Sequence, residues 1–236
     1  MTAQPDMKEQ PGMKEQPGTK EQPGMKGRPG MTAPPGKAAQ PVSKAQARAL
    51  SQRNRILAAA RRCFIEHGFH AASMANIAEA AGMSAGLIYR YFESKNAIIL
   101  AIIEGQLEDS RQGIAALHAG TEMVALFGEV FARWASRDET IVNPALLLEM
   151  SAQATRDPQI AEALAASDRV TREDFAGWLK AAAVGRGAPP PDDETVRRRA
   201  FLAQCVFEGL AVRAARDPSM DPAFVTESLR PLAELL

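Results

Sequence analysis

Two cysteines, two tryptophans and three histidines in 236 residues leave little material for a disulfide scaffold or a metal cage. Cys63 and Cys205 lie far apart within apolar helical patterns and read as small buried hydrophobes. His67 and His70 beside Glu66 lack a fourth ligand nearby, so no metal is expected. No Ser-His-Asp arrangement, Gly-rich phosphate loop or paired acid–base cluster is found, so neither an enzyme nor a cofactor is expected. The longest apolar run, Ala97 to Ile103, is far below the roughly 18 residues of a membrane span. The N-terminus has no apolar segment of the signal-peptide kind, and a cytoplasmic protein without a membrane role is expected. No stretch alternates polar and apolar residues with period two, so no sheet is expected.

Net charge is also absent, but only in sum. Residues 1–45 carry seven basic and four acidic side chains, residues 46–95 seven and three, and residues 96–236 fourteen and twenty-one. A basic front on an acidic body fits a nucleic-acid-facing N-terminal unit. Residues 7–36 repeat a hexapeptide: MKEQPG, MKEQPG, TKEQPG, MKGRPG, MTAPPG. A Pro-Gly every six residues forbids continuous helix or strand, and few large apolar residues offset the ordering entropy. Residues 1–45 therefore read as a disordered low-complexity tail. Lys8, Lys14, Lys20, Lys26 and Arg28 offer weak phosphate attraction; an inert solvated extension is the simpler reading.

Beyond Ala45 the pattern turns helical. Ile56, Ala60 and Phe64 recur every four residues, flanked by Leu57 and Cys63, and Gly68 ends the helix. Ser73 is placed to cap a second helix carrying Ile77 and Ala80 inward, Gly82 to turn the chain, and Ser84 to cap a third running to about Phe92. A fourth starts at Ser94 with Ile98, Ile99, Ile102 and Ile103 as its buried stripe. This is the layout of a helix-turn-helix, whose second helix enters the DNA major groove. Gly86 permits close approach of backbone to a phosphate or to the second helix. The free helix start at Ser84 suits a phosphate. Tyr89, Arg90 and Tyr91 spread over about 200° of helix surface and cannot all be core. Arg90 can grip a guanine edge, and Lys95 suits a backbone phosphate.

Residues 51–103 resemble the N-terminal DNA-binding domain of the TetR family of transcriptional regulators. The matching pieces are ILAAARRCFIEHGF (56–69), SMANIAEAA (73–81), GMSAGLIYRY (82–91) and FESKNAI (92–98). The resemblance puts Ser73 and Ser84 at capping positions and Ala85, Gly86, Tyr89, Arg90 and Tyr91 among the recognition-helix contacts. It makes Lys95 the phosphate-binding lysine of the fourth helix. Ala85 departs from the longer polar or basic residue of many relatives, which shifts base reading onto Tyr89 and Arg90.

The expected architecture is all-α: a helix-turn-helix domain over 46–95 and, as the resemblance implies, a helical ligand-binding and dimerisation domain over 96–236. Asn143-Pro144, Asp157-Pro158 and Asp221-Pro222 mark helix starts, GRGAPPP (185–191) marks a break, and another helix should run from Asp192 or Asp193 to Arg216. Met123, Phe127, Phe131, Trp134, Leu147, Met150, Phe175 and Trp178 are candidates for an apolar pocket, with an ordinary core as the plainer alternative. Glu149, Gln153 and Asn143 are polar candidates to orient a ligand. Helices 158–184 and 193–216 are favoured for a two-fold four-helix interface, the latter through Val196, Ala200, Ala203, Phe207 and Leu210. The expected protein is a homodimeric repressor on a palindromic double-stranded operator, released by a small apolar or amphipathic effector. The alternative is a ligand-independent architectural or cell-division-linked DNA-binding protein of the same fold.

Overall fold

The computed structural model describes residues 43–233, and their regular structure is helical throughout. In chain order these are α1 (Lys44–Ala71), α2 (Met74–Ala81), α3 (Ala85–Tyr89), α4 (Lys95–Ala115), α5 (Met123–Ala135), α6 (Pro144–Ala154), α7 (Pro158–Gly185), α8 (Asp193–Arg216) and α9 (Pro222–Leu229). A 3-10 turn, Arg230–Leu232, follows.

Short polar side chains set most of the starts. Ser43, Ser73, Ser84, Ser94, Asn143, Asp157, Asp192 and Asp221 each accept a first-turn backbone N–H, and Pro follows three of them at the first helical position. Each such cap contributes about 1 kcal/mol. The Asx-Pro starts and the Asp192 start stand where the sequence puts them. The tail expected over 1–45 lies outside the described residues up to 42. Its last two positions are corrected: Lys44 and Ala45 are helical, because Ser43 and Gln46 form a reciprocal capping box ahead of them.

Two hydrophobic cores organise the chain. The first joins α1, α2, α3 and α4 to the body through α6 and α7, with Ile56, Phe64, Ile77, Ile88, Ile98 and Ile102 sealed from solvent. The second lies among α5, α7, α8 and α9, around Phe131, Trp134, Phe175, Val196 and Leu210. Each large side chain so buried contributes about 1.5–3 kcal/mol. Leu147 of α6 packs against both cores, and Met150, one turn on, belongs to the first. The first core thus reaches from the N-terminal helices into the body, and α4 runs between them, packing on α1 and α7.

Two readings of α8 and Cys205 are corrected. Val196, Ala200, Ala203 and Leu210 face inward, and Phe207 lies 5.2 Å from Trp134, so this stripe is core and no subunit interface. The opposite side of α8 is open: Phe201 is 60% exposed, and Cys205, expected to be buried, is exposed with it. The α5–α6 connection closes on Arg133, which donates to Asp138 at 2.7 Å and to Thr140 at 2.6 Å. Hydrogen bonds from Thr140 and Arg133 hold the Asp138 carboxyl down to about 2.

Gly128 sets how closely α5 and α9 pack. A Cβ there would lie 2.1 Å from Thr226 Oγ1 and 3.1 Å from its Cβ. Gly128→Ala therefore forces the helices apart and loosens Val225. The expected loss is about 1–3 kcal/mol, read as a lower urea midpoint at unchanged slope.

Candidate nucleic-acid interface

The helix-turn-helix is built on a break in α1. Gly68 leaves helical geometry at φ +73°, ψ 162°, and the chain makes one more turn before Ala72. The groups freed by the break are collected from two directions. Lys95, at the start of α4, donates from Nζ to the carbonyls of Phe69, His70 (3.2 Å) and Ala72 (2.8 Å), 4.4 Å from the Phe69 ring centre. Burial lowers its ammonium below the usual lysine range. Glu149, on α6, accepts the Phe69 N–H at 3.0 Å. Phe69 itself is buried, 5.3 Å from Phe64.

Next comes α2, whose Ser73 hydroxyl and Asn76 amide cap each other's backbone N–H groups. It buries Ile77, Ala78 and Ala81. Ala80, expected inside, is exposed, because 77, 78 and 81 share the inner face of so short a helix. Gly82 ends α2 in the left-handed region at φ +61°. Its N–H reaches Glu79 O, and Met83 N–H reaches Ala78 O, a paired closure of the last turn. Two arginines of α1 clamp this end: Arg62 Nη2 donates to Ala80 O and Arg55 Nη2 to Gly82 O, each at 3.4 Å.

Helix α3 is shorter than expected, ending at Tyr89 and not near Phe92. Ile88 anchors it with no exposure, and Phe92 closes the core behind it. The eight residues expected to meet DNA then fall into four groups. Ser84, Ala85, Gly86, Tyr89 and Arg90 are exposed around α3, Tyr89 at 55%. Among the described residues Tyr89 and Arg90 have no side-chain hydrogen bond or ion pair. Ser73 is exposed, but its hydroxyl serves as a cap. Tyr91 is half-buried against the first core. Lys95, expected to grip a phosphate, here donates to three protein carbonyls and serves as an internal brace. A Cβ at Gly86 meets nothing within 4 Å, so α2 does not require the glycine.

The eight residues expected to line a ligand pocket are packing elements. Met150 lies in the first core; Met123, Phe127, Phe131, Trp134 and Phe175 lie in the second, with Leu147 and Trp178 packed against it. Long apolar faces at helical spacing interlock with one another, and periodicity does not separate that from a lined cavity. Two open clefts flank α4 and take no wall from these eight. One, of about 790 Å³, lies against α1 beside Arg53, Arg61 and Glu108; the other, of about 490 Å³, lies against α7 beside Leu100, Ile103, Ala163 and Val170. They share Arg53, Ala101, Glu104 and Leu107. Of the polar candidates, Asn143 caps α6 and Glu149 holds the α1 break. Gln153 is buried in α6. The clamp by Arg55 and Arg62 was not anticipated from sequence; its signal is two arginines seven residues apart, on one side of a helix.

Residues 56–102 match the family described as "Bacterial regulatory proteins, tetR family". The chain is 32% identical over 173 residues to the HTH-type transcriptional regulator UidR of Escherichia coli K12, covering 73% of this chain and 86% of that protein. It is 42% identical over 53 residues to the HTH-type transcriptional repressor AcnR of Corynebacterium efficiens, which covers 22% of this chain and 28% of AcnR. Among solved structures, Salmonella enterica GusR superposes with a TM-score of 0.63 at 28% identity, over 84% of this chain and 99% of that one. The regulator FadR of Bacillus subtilis, solved with stearoyl-CoA, superposes with a TM-score of 0.58 at 18% identity, over 76% and 96%, a likeness of fold.

The brace at the α1 break gives the first test of the site. Lys95→Met strips the partners from three carbonyls and is expected to lower stability by about 1.5–3 kcal/mol. Because α3 hangs between the break and α4, DNA affinity falls with it. A thermal melt and a duplex titration check both; an unchanged melting temperature returns Lys95 to the surface.

Proposed function

The chain belongs to the TetR family of bacterial regulatory proteins, and from that premise we propose that it is a homodimeric repressor which leaves its operator when an effector occupies the helical body. That it is a DNA-binding transcriptional regulator follows from the family; the reading residues, the dimer and the effector are our proposal. The observation that carries it is the bare face of α3. Ser84, Ala85, Gly86, Tyr89 and Arg90 are exposed on a helix held by Ile88 beneath. Arg90 reads a guanine edge or grips a phosphate, and Tyr89 lays its ring on a thymine methyl or donates to phosphate. Tyr91 fixes the depth of α3 from within.

A second copy supplies the symmetry. The outer sides of α7 and α8 carry small and apolar residues: Gly177, Ala181 and Val184 on one, Phe201, Cys205 and Gly209 on the other, all exposed. A Cβ at Gly177 or Gly209 meets nothing within 4 Å, so another helix has room to approach. Pairing both helices with their mates gives an isologous interface and sets two recognition helices roughly 34–36 Å apart, one turn of the duplex.

The effector acts through α4. The clefts on its two sides meet at Arg53 and Glu104, an apolar arm joined to a charged one, which suits a small amphipathic molecule. Its N-terminus carries Lys95, so a displacement of α4 is delivered to the α1 break and to α3. A ligand that favours one position of α4 then changes the spacing of the recognition helices.

Three outcomes are expected. Selection of the purified protein against fragmented DNA of its own genome recovers a few fragments sharing an inverted repeat; many fragments without one would favour the ligand-independent architectural reading. Arg90→Ala weakens binding to the selected duplex by about 1–3 kcal/mol and relaxes sequence preference; unchanged affinity and an unchanged preference for the selected over a scrambled duplex would remove Arg90 from the reading set. Phe201→Glu places like charges across the two-fold and yields a monomer by sedimentation, with operator binding lost. A dimer that survives it pairs through another face.

A further inference from the structure

The N-terminal turns of α1 carry charge and helical order that the hydrophobic core does not account for. Residues 43–62 hold six basic side chains, Lys44, Arg48, Arg53, Arg55, Arg61 and Arg62, and no acidic one. At about 100° per residue, Lys44, Arg48, Arg55 and Arg62 fall within about 40° of one another along α1. Arg53 points the other way, 5.2 Å over the Phe92 ring and 4.0 Å from Glu104.

The near end of this stripe is fixed to the helix-turn-helix. Arg62 holds Ala80 O and Arg55 holds Gly82 O, two residues before the Ser84 cap of α3. The far end continues past that turn. Arg48 lies about 10 Å and Lys44 about 16 Å from Arg55 along the helix axis. Every residue from Ser43 to Ser51 is exposed. Lys44 and Arg48 have no hydrogen bond or ion pair among the described residues, and the Ser43–Gln46 capping box keeps this end helical. A rigid basic rod thus begins beside the recognition helix and projects beyond it.

We infer that the first turns of α1 are a second DNA contact, in which Lys44 and Arg48 neutralise backbone phosphates flanking the groove that α3 enters. The inference rests on the reading of α3 as the groove-facing helix. The occupant follows from charge complementarity and from continuity with the α3 face: a duplex seated there carries its phosphates outward on both sides of the groove. Such contacts set register and add affinity without reading sequence. The rod therefore lengthens the footprint outside each half-site and steepens the salt dependence.

The test uses the full chain and an inverted-repeat duplex recovered by the genomic selection. Lys44→Ala/Arg48→Ala is compared with wild type by anisotropy titration over a salt series and by hydroxyl-radical footprinting. Alanine is the best helix former, and both sites are exposed, so helix content by circular dichroism stays unchanged. The slope of log affinity against log salt becomes shallower by about 0.9 for each phosphate that the variant leaves unneutralised. Protection shrinks outside the repeat, and preference among duplexes is retained. Lys44→Glu/Arg48→Glu weakens binding further. An unchanged slope and footprint, with wild type still selecting an inverted repeat, overturns the inference alone and leaves the rod to an acidic protein partner. A wild-type protein that selects no duplex above the non-specific level overturns the reading of α3 and this inference together.

Discussion

The geometry of the N-terminal helices depends on how one helix break is satisfied. α1 stops at Gly68, and a helix end turned inward leaves carbonyls and an amide that water does not reach freely. A single ammonium, Lys95, takes three of those carbonyls, and a single carboxylate, Glu149, takes the amide. The lysine comes from α4 and the glutamate from α6, so two helices are tied to the same three residues, Phe69, His70 and Ala72. Asn96, next to Lys95, is hydrogen-bonded to Asp157, the cap of α7. The start of α4 is thereby held from both sides. The exposed residues of α3 inherit their position from this junction, since Ile88 and the flanking turns hold the helix.

In the proposed mechanism this junction carries a change in the body to the DNA-facing helices. The first core does not stop at the N-terminal helices but continues into α6 and α7 through Leu146, Met150 and Ile160. Close-packed interiors switch between arrangements more readily than they stretch. In that mechanism a shift of α4 or α6 moves the α1 break as a unit, and the head turns with it. Polar ties and apolar continuity act on the same few residues, which is why the two halves of the chain form one mechanical system.

Much of this was legible in the sequence because it is local. Ser73, Ser84, Ser94 and the Asx-Pro pairs announce helix starts through hydrogen bonds spanning two or three residues. The stripes of α1 and α4 follow from period alone. What was not legible lies across long separations. Nothing near Lys95 shows that its ammonium faces inward, because its acceptors sit 23 to 26 residues earlier. Glu149 looks like a solvated face residue until α6 is laid beside α1. The inner stripe of α8 is apolar, and period does not say whether it meets its own chain or another; the exposed side, with Phe201 and Cys205, is marked only by being left over. The aromatic faces of α5 and α7 are ambiguous for the same reason, since a filled core and a lined cavity are written in the same residues.

Gly86 and Ala85 stand at the front of α3 with almost no side chain, and a Cβ at Gly86 would meet nothing within 4 Å. Packing does not constrain this corner, and neither glycine nor alanine projects a group toward a base. The front of the recognition helix is in that sense unwritten. On the proposed reading its vocabulary is concentrated at the rear, in Tyr89 and Arg90, while the forward positions tolerate longer polar residues without disturbing Ile88 beneath. Sequence preference in this scaffold can therefore drift, or be redesigned, by changes at two surface positions while the fold that carries them stays the same.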